Sequence, residues 1–320
     1  MQRVRLGQSE ISIPPLVFGG NVFGWGVDEQ TAFNFLDYLL DNGFNAIDTA
    51  DIYTYWAPGN KGGESEVILG NWLRNRGKRD DVVIHTKGGA PDAPGEFANA
   101  NLTEAYLTKA VNGSLQRLGT DYIDLYYVHY DDKQTPPEET LGALQRLMQQ
   151  GKIRAIAASN FEPDRLKLSL EVAEKNGLPR YACLQTLYNL YDRRDFEESL
   201  QDLCKTEGIG VLSYFSLAHG FLTGKYRSTD DLAKSASRRG EVGKYLTPRG
   251  NRILDALDRA AEKYSATPSQ IALAWLMSRP GFSAPVSSAT KLAQLDELIR
   301  ATHIILDADS MADLDTVSAE

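Results

Sequence analysis

Residues 44–53 read FNAIDTADIY. The apolar run from Phe44 to Ile47 has the character of a short buried strand, it stops at the carboxylate of Asp48, and five positions later a phenol, Tyr53, falls in the loop that follows. Two later segments end in the same manner. Val82 to Thr86 runs into Lys87, and Ile123 to Val128 runs into His129. A carboxylate, a phenol, an ammonium and an imidazole at consecutive strand ends are the parts of a proton-transfer centre built on a tyrosine acid.

These three strands belong to a longer series. Outward from them, strand signals recur at Leu16 to Phe18, Ile153 to Ala157, Ala182 to Gln185, Gly210 to Ser213 and Ser283 to Val286, eight in all with Asn45 to Ile47 counted as the second. Helices separate them. Thr103 is the expected cap of a helix stopped by Gly119, Pro136 and Pro137 open another before Gly151, and Pro163 begins a third that ends near Gly177. Arg3 to Ile13 reads as a hairpin turning at Gly7 and Gln8. Without repeat or linker, residues 1–320 are expected to form one (β/α)8 TIM barrel with a short N-terminal β-hairpin and a C-terminal helical tail. A doubly wound open sheet is disfavoured, because Gly24 and Gly26 are followed by Glu29 where a dinucleotide loop needs its third glycine.

A net charge of -9 opposes binding to nucleic acid or anionic membranes. The two cysteines, Cys183 and Cys204, form no framework or metal motif and suit a reducing compartment. The start of the chain lacks the apolar core of a secretion signal and no apolar run is long enough to span a bilayer, so a cytoplasmic location is expected. Lys225 to Arg252 reverses the overall sign, with eight basic residues against three acids. It reads equally as a solvated loop or as a lid over an anionic ligand after the seventh strand.

Taken singly, Asp48 is an ordinary cap, Lys87 a solvated charge, His129 a packed histidine and Tyr53 one of 15 tyrosines. In a barrel, however, the ends of strands two, three and four share one rim. An ammonium about 4 Å from a phenol at an effective dielectric of about 20 offers about 4 kcal/mol, enough to lower a phenol pKa by two or three units at about 1.4 kcal/mol each. Asp48 would then hold Lys87 charged, and His129 would orient a carbonyl oxygen or share the proton.

With these residues in place, the chain resembles the aldo-keto reductases from about Val4 to Leu298, through FNAIDTADIY, GGESEVILG, VVIHTKGG, SLQRLGTDYIDLYYVH, LQRLMQQGKIRAIAASNF, SYFSLAHGFLTGKY and APVSSATKLAQLDEL. The resemblance implies a (β/α)8 barrel, a nicotinamide cofactor and reduction of aldehydes or ketones. It implies that Asp48, Tyr53, Lys87 and His129 are catalytic, that Ser159, Asn160 and Gln185 hold the carboxamide, and that Tyr214 stacks on the nicotinamide. It places Leu217, Gly220, Leu222, Gly224 and Lys225 around the pyrophosphate, and Ser288, Thr290, Lys291, Gln294 and Glu297 at the adenosine end. Three positions depart from the family pattern: Phe215 and Ser216 replace a Ser-Pro pair, Ser288 a glycine, and Leu298 an asparagine.

Lys291 and the basic seventh loop favour NADPH/NADP+ over NADH. Phe23, Trp25, Tyr55, Trp56 and Tyr130 are expected to line an aromatic pocket for a hydrophobic or ring-shaped small-molecule carbonyl. Two other readings stand beside an NADP-dependent oxidoreductase: a Schiff-base lyase using Lys87, and a weakly catalytic redox-sensing regulatory subunit of the same fold. Metal hydrolysis is disfavoured, because His85, His129, His219 and His303 form no ligand pair.

Overall fold

The computed structural model describes residues 2–90, 100–234 and 239–319. Strands β1 (Val4–Arg5) and β2 (Ser12–Ile13) pair as an antiparallel hairpin. Eight parallel strands then close a barrel: β3 (Val17–Gly19), β4 (Ala46–Asp48), β5 (Val83–Gly88), β6 (Ile123–Val128), β7 (Ile153–Ser159), β8 (Cys183–Leu187), β9 (Gly210–Tyr214) and β10 (Phe282–Ser287), with β10 returning to β3. Helices α1 (Glu29–Asp41), α2 (Glu64–Arg76), α3 (Glu104–Leu118), α4 (Pro137–Gln149) and α5 (Pro163–Asn176) follow the first five barrel strands. Helices α6 (Arg194–Ser199) and α7 (Gln201–Glu207) follow β8. After β9 come α8 (Arg239–Val242), α9 (Pro248–Tyr264) and α10 (Pro268–Met277), and after β10 come α11 (Leu292–Ala301) and the tail helix α12 (Ala308–Ser318).

Alternation along each strand divides two apolar sets. Leu125, Tyr127, Ala157 and Leu212 fill the barrel, and Leu6 and Ile13 of the hairpin close its lower end, wholly buried. The opposite residues, such as Ile47, Ile84 and Ile156, meet the helices. Helix α3 shows the local logic: Leu107, Val111, Ser114 and Leu118 share its buried face, and Gly119 ends it at a φ of 64° that favours glycine. Thr103 stands at the N-cap position, but its hydroxyl donates to Asn101 Oδ1 at 2.8 Å and does not cap the helix.

The strands run slightly further than their apolar cores. β5 extends to Gly88, which places Lys87 inside the strand, in register with Tyr127 of β6 and accepting at its carbonyl from the Asp51 N–H at 3.0 Å. Asp48 is the last residue of β4, and His129 follows β6 directly. All three therefore reach the carboxyl-end rim of the barrel.

Parts of the basic stretch after β9 pack onto the fold; residues 235–238 lie outside the described residues. Val242 and Tyr245 are buried, and the Tyr245 ring stacks on Phe221 with centroids 5.4 Å apart. Arg227 pairs with Asp258 at 2.7 Å, and Arg249 donates to the Tyr191 carbonyl at 2.7 Å and to the Ser318 carbonyl at 2.6 Å. These arginines join the stretch to α9, to the loop after β8 and to the last turn of α12, instead of facing a ligand. No helix among the described residues is long and apolar enough to cross a membrane.

Candidate active site

Asp48 is the hub of the rim. Its Oδ2 accepts from Lys87 Nζ at 2.6 Å and from the Tyr53 hydroxyl at 3.1 Å, and its Oδ1 accepts from Gln185 Nε2 at 2.8 Å. Lys87 Nζ also donates to the Tyr53 oxygen at 2.8 Å and to the Thr49 carbonyl at 3.0 Å. All three ammonium protons are thus directed, and the side chain of Lys87 is 1% exposed. The His129 ring lies 6.2 Å from the Tyr53 ring, edge to face, and stacks on Tyr130 at 5.0 Å. The four residues expected from the strand ends therefore meet at one point.

Their electrostatics differ from the expectation in one respect. Burial, then the negative charge of Asp48 and its hydrogen bond, push the Tyr53 phenol well above its ordinary pKa. Burial is the larger cause, and the cation does not offset it because the charge of Lys87 is matched by Asp48 at 2.6 Å. Burial pulls Lys87 down from its ordinary value, while Asp48 pushes the other way. His129 is held well below its ordinary value by burial and by the charge of Lys87, and is a neutral imidazole at pH 7. The arrangement is a protonated phenol with a cation donating to its oxygen, which stabilises negative charge there once the proton leaves.

Around this centre, Asn160 Nδ2 donates to Ser159 Oγ at 3.1 Å and to the His129 carbonyl at 3.0 Å, and the Tyr214 hydroxyl donates to Asn160 Oδ1 at 2.7 Å. Ser159 and Gln185 are neighbours in register across the paired strands β7 and β8. Leu217, Gly220, Leu222 and Gly224 lie on the turn after β9, where Ala218, His219 and Gly220 follow one another at positive φ. Lys225 Nζ sits 4.9 Å over the Tyr226 ring.

At the other end, Thr290 N donates to Gln294 Oε1 at 2.9 Å, and the Ser288 hydroxyl donates to Asn21 Oδ1. Lys291 lines a cavity of about 280 Å³ with Thr31, Asn34, Tyr38 and Thr290. Glu297 is drawn toward α10, where Ser269 donates to it at 2.5 Å and Thr267 also donates. Of the departures, Ser216 is buried and donates to the Val286 carbonyl at 3.0 Å, joining β9 to β10, and Leu298 is buried in the core.

Trp56 is 41% exposed and touches three rings, with centroid distances of 5.9 Å to Trp25, 5.3 Å to Tyr55 and 6.1 Å to Tyr53. Trp56 thus meets the Tyr53 ring, Trp25 and Tyr55 pack on Trp56, and Tyr130 stacks on His129. Phe23 does not join them: it is wholly buried against Phe18 at 5.6 Å, and supports the loop from within the core. Sequence reasoning missed Thr49, whose part is a backbone carbonyl and leaves no side-chain signal. His85, two residues before Lys87 on the same strand, is also buried in the barrel, and burial pulls its pKa down to about 4.

The sequence profile described as Aldo/keto reductase family matches residues 15–319. The chain is 34% identical over 319 residues to "Aldo-keto reductase YhdN" of Bacillus subtilis, covering 97% of this chain and 89% of that protein. It is 31% identical to "Protein tas" of Escherichia coli, covering 99% and 97%. It is 29% identical to "Norsolorinic acid reductase" of Aspergillus flavus, covering 98% and 80%.

Proposed function

Since the chain belongs to the aldo/keto reductase family, we propose that it is an NADPH-dependent oxidoreductase that interconverts an aldehyde or ketone and its alcohol, with Tyr53 as the proton donor. The observation that carries this reading is the bonding of Lys87 Nζ to both Asp48 and the Tyr53 oxygen at the barrel rim, at 2.6 and 2.8 Å. The donor set beside it suits a nicotinamide. Ser159, Asn160 and Gln185 bring hydroxyl and amide groups to one edge, as a primary carboxamide requires, and the Tyr214 ring lies beside Asn160. The left-handed turn at Ala218, His219 and Gly220 bonds the Ala218 and Gly220 N–H groups back to the Phe215 and Leu217 carbonyls, which fixes the loop assigned to the pyrophosphate without offering those two donors to it.

Bound nicotinamide supplies the hydride. Tyr53 delivers its proton to the carbonyl oxygen, and Lys87, already donating to the phenol oxygen, stabilises the phenolate left behind. Asp48 keeps Lys87 charged and aimed. Neutral His129, whose ring lies 6.2 Å from that of Tyr53, orients the carbonyl oxygen. Trp25, Tyr55, Trp56 and Tyr130 exclude water and favour a hydrophobic or ring-shaped carbonyl. A Schiff-base role for Lys87 is disfavoured, because an ammonium paired at 2.6 Å and 1% exposed is a poor nucleophile.

A panel of aldehydes and ketones with NADPH and NADH, followed by loss of reduced-nicotinamide absorbance, tests the activity. Turnover of at least one carbonyl with NADPH is expected. Negligible turnover across the panel alongside tight cofactor binding would favour the redox-sensing regulatory subunit instead.

Lys291 carries the choice between cofactors, as an ammonium facing a ribose 2′-phosphate. Lys291→Ala is expected to raise KM for NADPH about tenfold, the worth of a charge-assisted hydrogen bond, and to leave KM for NADH nearly unchanged. An equal change for both cofactors removes that assignment.

A further inference from the structure

Asp48 is fully buried, and its two oxygens divide their partners. Oδ2 serves Lys87 and Tyr53, while Oδ1 takes the Gln185 amide at 2.8 Å. An ionised carboxylate only accepts, so the amide must present Nε2 to it, and the acceptor oxygen of Gln185 points away from Asp48 within the amide plane. Ser159 lies next to Gln185 in register, and its hydroxyl is bonded to Asn160. One of the side chains suited to a carboxamide, Gln185, is therefore bonded directly to the carboxylate that holds the Tyr53 proton.

We propose that Gln185 is a positioning residue that couples seating of the nicotinamide carboxamide to release of the Tyr53 hydroxyl from Asp48. The proposal rests on the reading of the site as a nicotinamide-dependent reductase. A carboxamide N–H donating to Gln185 Oε1 polarises the amide and strengthens its donation to Asp48 Oδ1, since linked hydrogen bonds reinforce one another. Negative charge is drawn toward Oδ1, the hold of Oδ2 on the phenol proton weakens, and the hydroxyl turns toward a carbonyl oxygen. Lys87 remains on both Oδ2 and the phenol oxygen, so the ion pair persists while the proton donor is freed.

The decisive test needs no turnover. NADP+ affinity is measured by calorimetry for the parent, Gln185→Met, Asp48→Asn and the double variant. Coupling predicts that the two changes are non-additive, with the effect of Asp48→Asn reduced at least threefold once Gln185 is Met. The same loss of effect is expected in the parent background with 3-acetylpyridine adenine dinucleotide phosphate, which has a methyl group in place of the carboxamide NH2. Additive effects, or an unchanged Asp48→Asn effect with the analogue, overturn the proposal.

If Asp48→Asn is not recovered folded, Gln185→Met alone decides. A kcat about tenfold lower at saturating NADPH supports coupling, whereas a raised KM with unchanged kcat marks a contact residue only and overturns it. A parent protein that binds NADP+ but reduces no carbonyl would defeat the proposed function while leaving the binding cycle readable.

Discussion

Tyr53→Phe is expected to lower kcat for carbonyl reduction about a thousandfold, within the range of about 10² to 10⁴ that a positioned acid contributes. The substitution keeps the ring, and with it the edge contact to His129 and the contact to Trp56, and removes only the hydroxyl bonded to Lys87 and Asp48. Cofactor affinity should therefore change by no more than about twofold, which separates loss of the acid from loss of the site. The pH dependence follows from the raised phenol pKa. A group that acts as its protonated form and titrates above its ordinary value is available throughout the neutral range, so the acid-dependent rate should stay level from pH 6 to 9. It should fall only as pH rises through the alkaline pKa, and that fall should vanish in Tyr53→Phe, where a residual slow rate is independent of this group. Steady-state rates across pH for both proteins check the direction.

Lys87→Met is expected to be as damaging to activity and far more damaging to stability. Lys87 and Asp48 are each about 1% exposed in their side chains, and the ammonium satisfies the carboxylate, the phenol oxygen and the Thr49 carbonyl at once. Removing one member of such a pair leaves a buried charge without its partner, at a cost of about 3–5 kcal/mol. Urea denaturation should show a midpoint shift of that order. Adding Asp48→Asn to Lys87→Met removes the orphaned charge and should recover part of the stability with no recovery of activity. A Lys87→Met protein as stable as the parent would mean that Asp48 is not held as an ion within the barrel.

The barrel was legible because its strands carry compact apolar runs and three of the helices between them have punctuated ends. Ile123 to Val128 was read to its exact limits, while β5 ran two residues beyond its apolar core, because Lys87 and Gly88 continue the ladder with β6 despite their polarity. The candidate site was legible in position and less so in energetics. Arithmetic on Lys87 alone lowers the Tyr53 phenol, but the 2.6 Å pairing with Asp48 cancels most of that field and burial decides the direction. The bond from Gln185 to Asp48 spans 137 positions of sequence, and neither residue type announces it. Phe23 shows the opposite limit: beside Trp25 in sequence it looks like pocket lining, and only its contact with Phe18 turns it into the core. Arg227 and Arg249 likewise contribute charge to a basic stretch whose folding consumes it in contacts to Asp258 and to the end of α12.

The measurement closest to the central claim is transfer of deuterium from NADPH labelled at the hydride-donating carbon, with a reducible carbonyl and excess unlabelled water. The proposed chemistry predicts an alcohol carrying one deuterium on the former carbonyl carbon and a solvent-derived proton on oxygen, formed at a rate that collapses in Tyr53→Phe. Product without deuterium on that carbon, or undiminished deuterium transfer in Tyr53→Phe, would contradict it.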